Sequence, residues 1–340
     1  MCMYFTKGIN QDGYVLCRYC GMMKDMHNIF TYLYNITSQC DDIILLIQEY
    51  VKVDIQTIAG GIHHTVVLLE NNTVICWSGN DHYGVRNIPD SIQDKVISIS
   101  CGMSHSCALL NDNTVRCWGG NYYRQCKPPD SIQGKVVSIS CGGDYNIALL
   151  NNNTIECWGN DLDPQEAFSK QCYFPDSIQG KIISVSCGTW HFSALLNDNS
   201  VVCWGDNNWG QCNVPDYIQG NIVSIECGQD HTCALLNNNT VVCWGNCRHN
   251  IPDSIQGKVV SLKCCGWYSC ALLNDNTVKC WNNNMYGQCD VPDSIQGKII
   301  SINCGYHHLI ALLDDNSIRS WGMHNIEHDF SNGIQVMRKN

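Results

Sequence analysis

The chain has 340 residues, of which 44% are hydrophobic and 15% are charged, and its formal net charge is −11. This composition provides material for a large core and excludes global disorder, while the acidic balance argues against sequence-independent binding to nucleic acid, which needs a basic surface. The longest aliphatic run, Ile43 to Ile47, is far shorter than the roughly 20 residues that span a bilayer. The N-terminus shows no secretory signal. We therefore expect an intracellular protein, cytoplasmic in location, that binds neither nucleic acid nor a membrane.

Cysteine is unusually frequent, with 25 residues in the chain. In a short secreted protein such a content would suggest a disulfide scaffold, but this chain is neither short nor visibly secreted. We therefore expect a reducing environment in which the thiols are free.

Residues 1–52 precede the repeats and form a non-repeat segment of their own. Apolar residues recur there at loosely helical spacing, which predicts one or two short helices. Cys17 and Cys20 form a Cys-x-x-Cys motif, and with Cys2 and Cys40 they could supply four thiolates to a zinc ion. Because the spacing is irregular and no second Cys-x-x-Cys completes the set, we expect no metal, with Cys17 and Cys20 as the candidate ligands if one is bound.

Residues 53–325 repeat one unit seven times. A tryptophan marks each unit, with spacings from 37 residues (Trp244 to Trp281) to 46 residues (Trp158 to Trp204). The marking residues are Trp77, Trp118, Trp158, Trp204, Trp244, Trp281 and Trp321. A period of this length is typical of β-propeller blades.

Each unit predicts three short strands. In the first, Val137, Ile139 and Cys141 would lie on one face, with Ser138 and Ser140 on the other. The second strand runs through Ala-Leu-Leu, an Asn-rich turn follows, and the third strand ends at Trp-Gly. The sequence therefore predicts an all-β, seven-bladed propeller. Residues 326–340 form a C-terminal tail, in which Gly333 to Met337 could add an edge strand that closes the ring.

The pattern Cys-Gly-x-x-His-x-x-Ala-Leu-Leu, followed by Trp-Gly and by Tyr-Gly-Gln-Cys-x-Val-Pro, resembles the repeat of the regulator-of-chromosome-condensation propeller family. The period of about 40 residues and the Val-Pro connector resemble the short-repeat form of this family. Similar Asn-rich propellers occur in giant DNA viruses. The resemblance extends over residues 54–325 and implies a binding platform rather than an enzyme.

Histidines and cysteines recur at fixed positions of the unit. Because one histidine per unit cannot gather with a nucleophile or carboxylate at a single site, we expect buried imidazoles that are hydrogen-bonded to the backbone. These histidines are His64, His105, His191, His231 and His308, with Tyr145 and Tyr268 in two other units.

We expect the cysteine columns to pack as small hydrophobic residues, with a metal or redox array as the alternative. No phosphate-binding loop, zinc-protease motif or nucleophile elbow occurs, so we expect neither catalysis nor a cofactor.

The candidate binding residues repeat in position but differ in identity. They lie two and three residues after the first cysteine column, in the loop between the first and second strands. Seven such loops must emerge on one face of a ring, and aromatic, Met and Asp side chains there are typical of protein-binding surfaces. The predicted partner-binding residues are Trp190, Trp267, Asp144, Asp230, Tyr306, His63, His307 and Met103. The alternative is that Trp190 and Trp267 cover blade edges.

A second aromatic set follows the Trp-Gly pair of several units. We expect these residues on the opposed face, in a structural role. They are Tyr83, Tyr122, Tyr123, Trp209 and Tyr286.

These patterns predict a monomeric, non-enzymatic protein that binds a partner protein of unknown identity through one loop face. The alternative is guanine-nucleotide exchange on a small GTPase, an activity that the family resemblance implies. In that case the insertion Leu162 to Phe168 in the third connector would act as the wedge that exchange requires.

Overall fold

The computed structural model describes residues 54–78, 83–159, 172, 174–247, 251–323 and 326–328. They lie in one compact unit, Val53–Ser331, whereas a second unit, Met1–Lys52 with Asn332–Asn340, falls outside the described residues. Four predictions also fall outside them: the N-terminal helices, the ligand pair Cys17 and Cys20, the wedge at 162–168 and the strand at 333–337.

The described residues form seven antiparallel sheets that follow one another along the chain, which confirms the predicted all-β, seven-bladed propeller. We number the blades 1 to 7 in chain order, and each contains three consecutive strands. The strands are β1 Ile55–Gly60, β2 His64–Leu69, β3 Val74–Ser78, β4 Val96–Cys101, β5 His105–Leu110, β6 Val115–Gly119, β7 Val136–Cys141, β8 Tyr145–Leu150, β9 Ile155–Gly159, β10 Ile182–Cys187, β11 His191–Leu196, β12 Val201–Gly205, β13 Ile222–Cys227, β14 His231–Leu236, β15 Val241–Gly245, β16 Val259–Cys265, β17 Tyr268–Leu273, β18 Val278–Asn282, β19 Ile299–Cys304, β20 His308–Leu313 and β21 Ile318–Gly322. A further strand, β22 Ile326–His328, pairs antiparallel with β21 in blade 7.

The first strand of each blade is the innermost. First strands of successive blades contact one another around the whole ring, and β19 of blade 7 contacts β1 of blade 1. The Asn316 side chain, in the turn of blade 7, fastens this junction. Its Oδ1 accepts from the backbone amide of Ile55 at 3.0 Å, and its Nδ2 donates to the carboxylate of Asp54 at 3.0 Å.

A β-bulge near the start of the first strand changes which residues face the core. In blade 3 the register passes from Val136 to Ser138, which leaves Val137 without a partner. Val136 is buried and Val137 is exposed, whereas Ile139 and Cys141 are buried as predicted. The prediction that Val137 lies on the core face is therefore wrong, because the bulge inserts one residue and shifts the alternation.

The cores lie between neighbouring blades. Second strands such as β8 are buried along their whole length, because each is the middle strand of a sheet that is covered on both faces. Between blades 2 and 3, the side chains of Leu109 and Val115 pack against Ile132, Ala148 and Trp158. Burial of this kind contributes about 1.5–3 kcal/mol per large side chain.

Asparagine and glutamine side chains fix the connections. The third residue of each Asn-rich turn has positive φ, as for Asn113 at 61°, a conformation that asparagine tolerates well. Each described connector forms a short 3-10 helix after its proline, as in Asp130–Ile132. The Gln133 side chain then accepts a hydrogen bond from the backbone amide of Val115 at 2.9 Å, and five other connectors repeat this bond.

Candidate functional site

Two sets of loops leave the ring from the same end. Since each blade has three antiparallel strands, the end of its first strand and the end of its third strand lie at one edge. Backbone hydrogen bonds join the two sets, from Asp206 N to Trp190 O at 2.9 Å and from Asn246 N to Asp230 O at 2.8 Å. We call this end the loop face; it comprises the loops between first and second strands and the loops after third strands.

The opposite end of the ring is formed by the Asn-rich turns and the 3-10 helices, and we call it the turn face. The second aromatic set follows third strands, so its described members lie on the loop face. The expectation that this set would lie on the opposed face is therefore wrong.

The inner loops of the loop face are bonded to each other across blades. The amide of Ile62 donates to Met103 O at 3.1 Å, and the amide of Met103 donates to Gly143 O at 3.3 Å. The amide of Gln229 donates to Gly266 O at 2.6 Å in another part of the ring. Met103, a predicted binding residue, therefore contributes main-chain bonds to the ring itself.

The histidine column links each blade to the next. His105 Nε2 lies 2.7 Å from Asn146 Oδ1, and His191 Nε2 lies 2.8 Å from Thr232 Oγ1. The links continue around the ring as His64 to Ser106, Tyr145 to the Gly188 carbonyl, His231 to Ser269, Tyr268 to the Gly305 carbonyl and His308 to Thr65. The tyrosines bind backbone as expected for this column, whereas the five histidine links run to side chains of the next blade. His191 also hydrogen-bonds the backbone of Gln229.

Burial makes three of these imidazoles weak bases, because a protonated ring would lose its hydration. It lowers the pKa of His105 and of His231 to about 4. Burial, with a smaller contribution from the neighbouring His231, lowers the pKa of His191 to about 3. These imidazoles are neutral at pH 7, which suits a structural role.

Eight of the described cysteines form disulfides, so the expectation of free thiols is wrong for them. Cys107 and Cys117 are directly opposite on adjacent strands of blade 2, and a disulfide joins them. The other disulfides are Cys157–Cys172, Cys233–Cys243 and Cys265–Cys304. The remaining described cysteines are thiols, and burial raises the pKa of one of them, Cys227, to about 12. That thiol is protonated and unreactive at pH 7.

Within the part of the chain that the structure describes, two buried groups bring one histidine and two cysteines together. In the first, His105, Cys107 and Cys141 place their ligand atoms within 4.8 Å of one another. The second contains His231, Cys233 and Cys264. Cys107 and Cys233 belong to disulfides, so their sulfur atoms are not available as thiolate ligands.

An aromatic cluster on the loop face unites four of the predicted binding residues. The Trp267 indole is edge-on to the Tyr306 ring, with centroids 5.7 Å apart, and lies 6.3 Å from the His307 ring. Trp267 Nε1 donates to Asp230 Oδ2 of the preceding blade at 3.2 Å. Tyr286, from the second aromatic set, completes the cluster with its ring 4.5 Å from His307.

Tyr306 also lines the cavity at the centre of the ring. Its side chain hydrogen-bonds Thr189, which belongs to blade 4 and lines the same cavity. Burial raises the pKa of Tyr306 to about 12. Tyr306 is half-buried. Through its bond to Thr189 it supports the loop face, and its exposed part contributes to the surface of that face.

The other predicted residues lie at separate points of the ring. Trp190, Asp144 and His63 are half-buried in blades 4, 3 and 1. Asp144 Oδ1 accepts from the buried Gln125 amide at 3.1 Å. Burial raises the pKa of both Asp144 and Asp230, since each carboxylate is partly withdrawn from water. The predicted set is thus one cluster with outlying members.

Two of the most exposed aromatic side chains belong to the second aromatic set, which the sequence analysis expected on the wrong face. Tyr122 is 76% exposed and Trp209 is 54% exposed, compared with 41% for Trp267. A buried glutamine fixes their loops, as where Gln211 Oε1 accepts from the Trp209 amide at 2.9 Å. The three predicted strands per blade were the signal that could have placed them correctly, because the first and third of three antiparallel strands end at the same edge.

Comparisons with known proteins agree with this architecture. The family model described as "Regulator of chromosome condensation (RCC1) repeat" matches residues 96–125, 182–211, 222–249 and 299–325. No curated protein matches the chain. In the described part of the chain, no helix has the length and apolarity needed to cross a membrane.

Several solved structures share the fold. The CRINKLY WD40 ectodomain of the Arabidopsis thaliana receptor kinase ACR4 is 22% identical, with a TM-score of 0.63, over 80% of this chain and 96% of that chain. The ectodomain of the Physcomitrella patens receptor kinase CR4 is 21% identical, with a TM-score of 0.63, over 79% and 74%. Yeast RCC1 (Prp20), solved with Kap60, is 16% identical, with a TM-score of 0.53, over 67% and 70%.

At these identities the likeness establishes the fold alone. The chain is a seven-bladed β-propeller. It carries RCC1 repeats and is similar in structure to the RCC1/Prp20 propellers.

Proposed function

We propose that this protein is a non-enzymatic, monomeric interaction module that binds a partner protein through its loop face. The observation that carries the proposal is the distribution of exposed aromatic and methionine side chains. Those on the loop face are Tyr83, Tyr122, Trp209, Trp267, Met285, Tyr286 and Met323. Among the described residues of the turn face, Tyr217 is the one exposed aromatic residue.

The two faces differ in the type of their exposed apolar side chains as well as in the number of exposed aromatic residues. The first-strand bulges, which lie toward the turn face, expose aliphatic residues such as Ile97 and Val223. Binding hot spots are enriched in Trp and Tyr, whereas Val is under-represented in them. Aromatic side chains also bury a large area at little conformational cost. The loop face is therefore the better candidate for binding.

Related propellers supply a consistent precedent. Yeast RCC1 (Prp20) was crystallised bound to Kap60, and Prp20p was also characterised for its binding to Gsp1p and histones. These partners are those of the yeast protein. They support the proposal because they are examples of protein binding by this fold. The similarity to the short-repeat form of the family and to the Asn-rich propellers of giant DNA viruses stays a prediction.

The experiment is affinity capture with matched alanine variants. Trp209→Ala removes an exposed aromatic residue from the loop face, and Tyr217→Ala removes one from the turn face. We expect Trp209→Ala to reduce recovery of the partner at least tenfold and Tyr217→Ala to leave it unchanged, since an aromatic hot-spot residue is worth about 2 kcal/mol or more. Equal recovery by both variants would contradict the proposal.

The exchange alternative and the cytoplasmic location also stay predictions. The proposed wedge, Leu162 to Phe168, lies outside the described residues, so no described contact supports exchange. Accelerated nucleotide release from a panel of GTPases would establish it. The four disulfides within the described residues are more typical of an oxidising compartment than of the cytoplasm.

A further inference from the structure

The charges of the loop face are divided between its two halves. On blades 3 to 6 its described residues carry four carboxylates and neither Lys nor Arg. We call these blades the acidic half; its carboxylates are those of Asp144, Asp206, Asp230 and Asp290. On blades 1 and 2 the loop face carries the exposed side chains of Arg86, Arg124 and Lys127, and we call this part the basic half.

We propose that the partner presents a basic peptide segment, rich in Arg or Lys, to the acidic half of the loop face. This proposal rests on the function proposed above and adds the chemistry of the partner and its place on the ring. Charge complementarity determines the orientation of a segment on such a surface more than its total affinity.

The carboxylates of Asp206 and Asp290 are held in place by their own loops. Asp206 Oδ2 accepts from Gln211 Nε2 at 3.0 Å, and Asp290 Oδ1 accepts from Asn284 Nδ2 at 2.8 Å. Asp206 Oδ1 also accepts from the backbone amide and from Nδ2 of Asn208. A carboxylate has roughly four acceptor positions, so Asp206 keeps one position for an incoming cation and Asp290 keeps more. Because the donors are neutral amides, the negative charges are oriented without being neutralised.

Aromatic side chains of the acidic half lie in the same loops as these carboxylates. Trp209 is three residues from Asp206, and Tyr286 is four residues from Asp290. Trp267 bonds Asp230 directly. A guanidinium group stacks on aromatic rings and pairs with carboxylates at the same time, whereas an acidic or purely apolar segment would use only one of the two features.

Burial of the inner carboxylates favours the same partner. Burial raises the pKa of Asp144 and of Asp230, and the nearby Asp206 raises that of Asp230 further. A positive charge beside a partly buried carboxylate stabilises its ionised form, because the cation replaces hydration that the carboxylate has lost.

Sister blades provide substitutions that remove charge while keeping the loop structure. The position of Asp206 in blade 4 is held by Asn283 in blade 6, whose Oδ1 accepts from Gln288 Nε2 at 3.1 Å. The position of Asp290 in blade 6 is held by Asn213 in blade 4, whose Oδ1 accepts from Asn207 Nδ2 at 2.9 Å. Asp206→Asn with Asp290→Asn therefore gives each blade the residue that the other already uses.

A matched control changes the same net charge elsewhere. Asp130 and Asp293 are exposed on the turn face, in the 3-10 helices of two connectors. Asp130→Asn with Asp293→Asn removes two negative charges, as the loop-face double variant does. Comparison of the two variants separates a local effect from simple attraction to a chain of net charge −11.

The experiment measures fluorescence anisotropy of a short labelled peptide of alternating Arg and Ser, with Gln–Ser and Glu–Ser peptides for comparison. The full chain should bind the Arg peptide in preference to the other two. Asp206→Asn with Asp290→Asn should weaken this binding about tenfold, and Asp130→Asn with Asp293→Asn by less than about twofold. The preference should also fall as salt is raised.

Three results would overturn this proposal: no binding of the Arg peptide, equal binding of the Gln peptide, or equal loss in the two double variants. Its failure differs from failure of the proposed function. If the captured partner is lost on Trp209→Ala but kept by Asp206→Asn with Asp290→Asn, the loop face binds protein and the basic-segment assignment is wrong. If Trp209→Ala also keeps the partner, the proposed function is wrong as well.

Discussion

Acidification from pH 7 to pH 5 should destabilise this propeller, because its blades are linked by neutral imidazoles. The pKa of His105 and His231 is about 4 in the fold, and that of His191 is about 3. An unfolded histidine has a pKa of about 6.5. A pKa that is lowered by folding contributes stability that is complete above about pH 6.5 and is lost as the pH falls toward the folded value.

The size of the effect follows from proton uptake. At pH 5 an unfolded histidine is almost fully protonated, while these three are almost fully neutral in the fold. Unfolding therefore takes up nearly three protons, and the three imidazoles together reduce the free energy of unfolding by about 5 kcal/mol between pH 7 and pH 5. Total stabilities of about 5–15 kcal/mol are usual, so this loss is large. The raised pKa of Asp144 and of Asp230 acts in the opposite direction, since acid relieves the cost of their burial.

The assay is urea unfolding followed by tryptophan fluorescence at several pH values between 7 and 5. The slope of the unfolding free energy against pH reports the protons taken up, at about 1.4 kcal/mol per proton and pH unit. His191→Tyr is the matched variant, because Tyr145 already occupies this column in the preceding blade. Thr232 keeps a hydrogen bond in that variant, since its Oγ1 also donates to Gln211 O at 2.9 Å.

We expect the wild-type slope at pH 5 to correspond to nearly three protons and the His191→Tyr slope to be lower by about one proton. A wild-type slope below one proton would refute the argument that buried imidazoles hold the ring. So would a slope that is unchanged in a folded His191→Tyr variant.

Three further predictions concern the junctions between and within blades, and each is checked by urea unfolding at pH 7. Trp118→Phe removes the indole hydrogen bond of 2.8 Å to a main-chain oxygen of blade 1 and should cost about 1–3 kcal/mol; an unchanged midpoint would contradict the role given to that bond. Replacing both Cys107 and Cys117 by Ser removes the disulfide of blade 2 and should cost about 2–3 kcal/mol. Wild type treated with a reductant should lose at least as much, and an unchanged midpoint in both would contradict the disulfide. Gly142→Ala should destabilise by about 2 kcal/mol or more, since its Cβ would lie 2.7 Å from the carbonyl oxygen of Gly188; a neutral effect would show that the inner ring can separate.

The repeat made the fold predictable from sequence. Seven copies of one unit give the blade number, and the Asn-rich turns give the hairpins that the structure contains. The bulge was not predictable, because Val136 and Val137 are both apolar and the alternation allows either to face the core. Pairing of Cys107 with Cys117 was hidden for a similar reason, since it depends on the strand register and not on spacing along the chain.

The candidate site was predicted in part. Its central cluster of Trp267, Tyr306 and His307 was identified from loop positions that vary between units. Trp209 was assigned to the wrong face although its loop follows a third strand, and three antiparallel strands bring that loop to the same edge as the loop after the first strand. The half-buried state of Tyr306 could not be foreseen, since its hydrogen bond to Thr189 crosses between blades that are far apart in the sequence.

Hydrogen–deuterium exchange of the full chain, with and without its captured partner, tests the central claim most directly. If the loop face binds the partner, backbone amides at 207–211 and 284–288 should become protected, while those of the turn face at 111–114 and 237–240 should exchange as before. Protection confined to the turn face, with unchanged exchange in both loop segments, would contradict the assignment of function to the loop face.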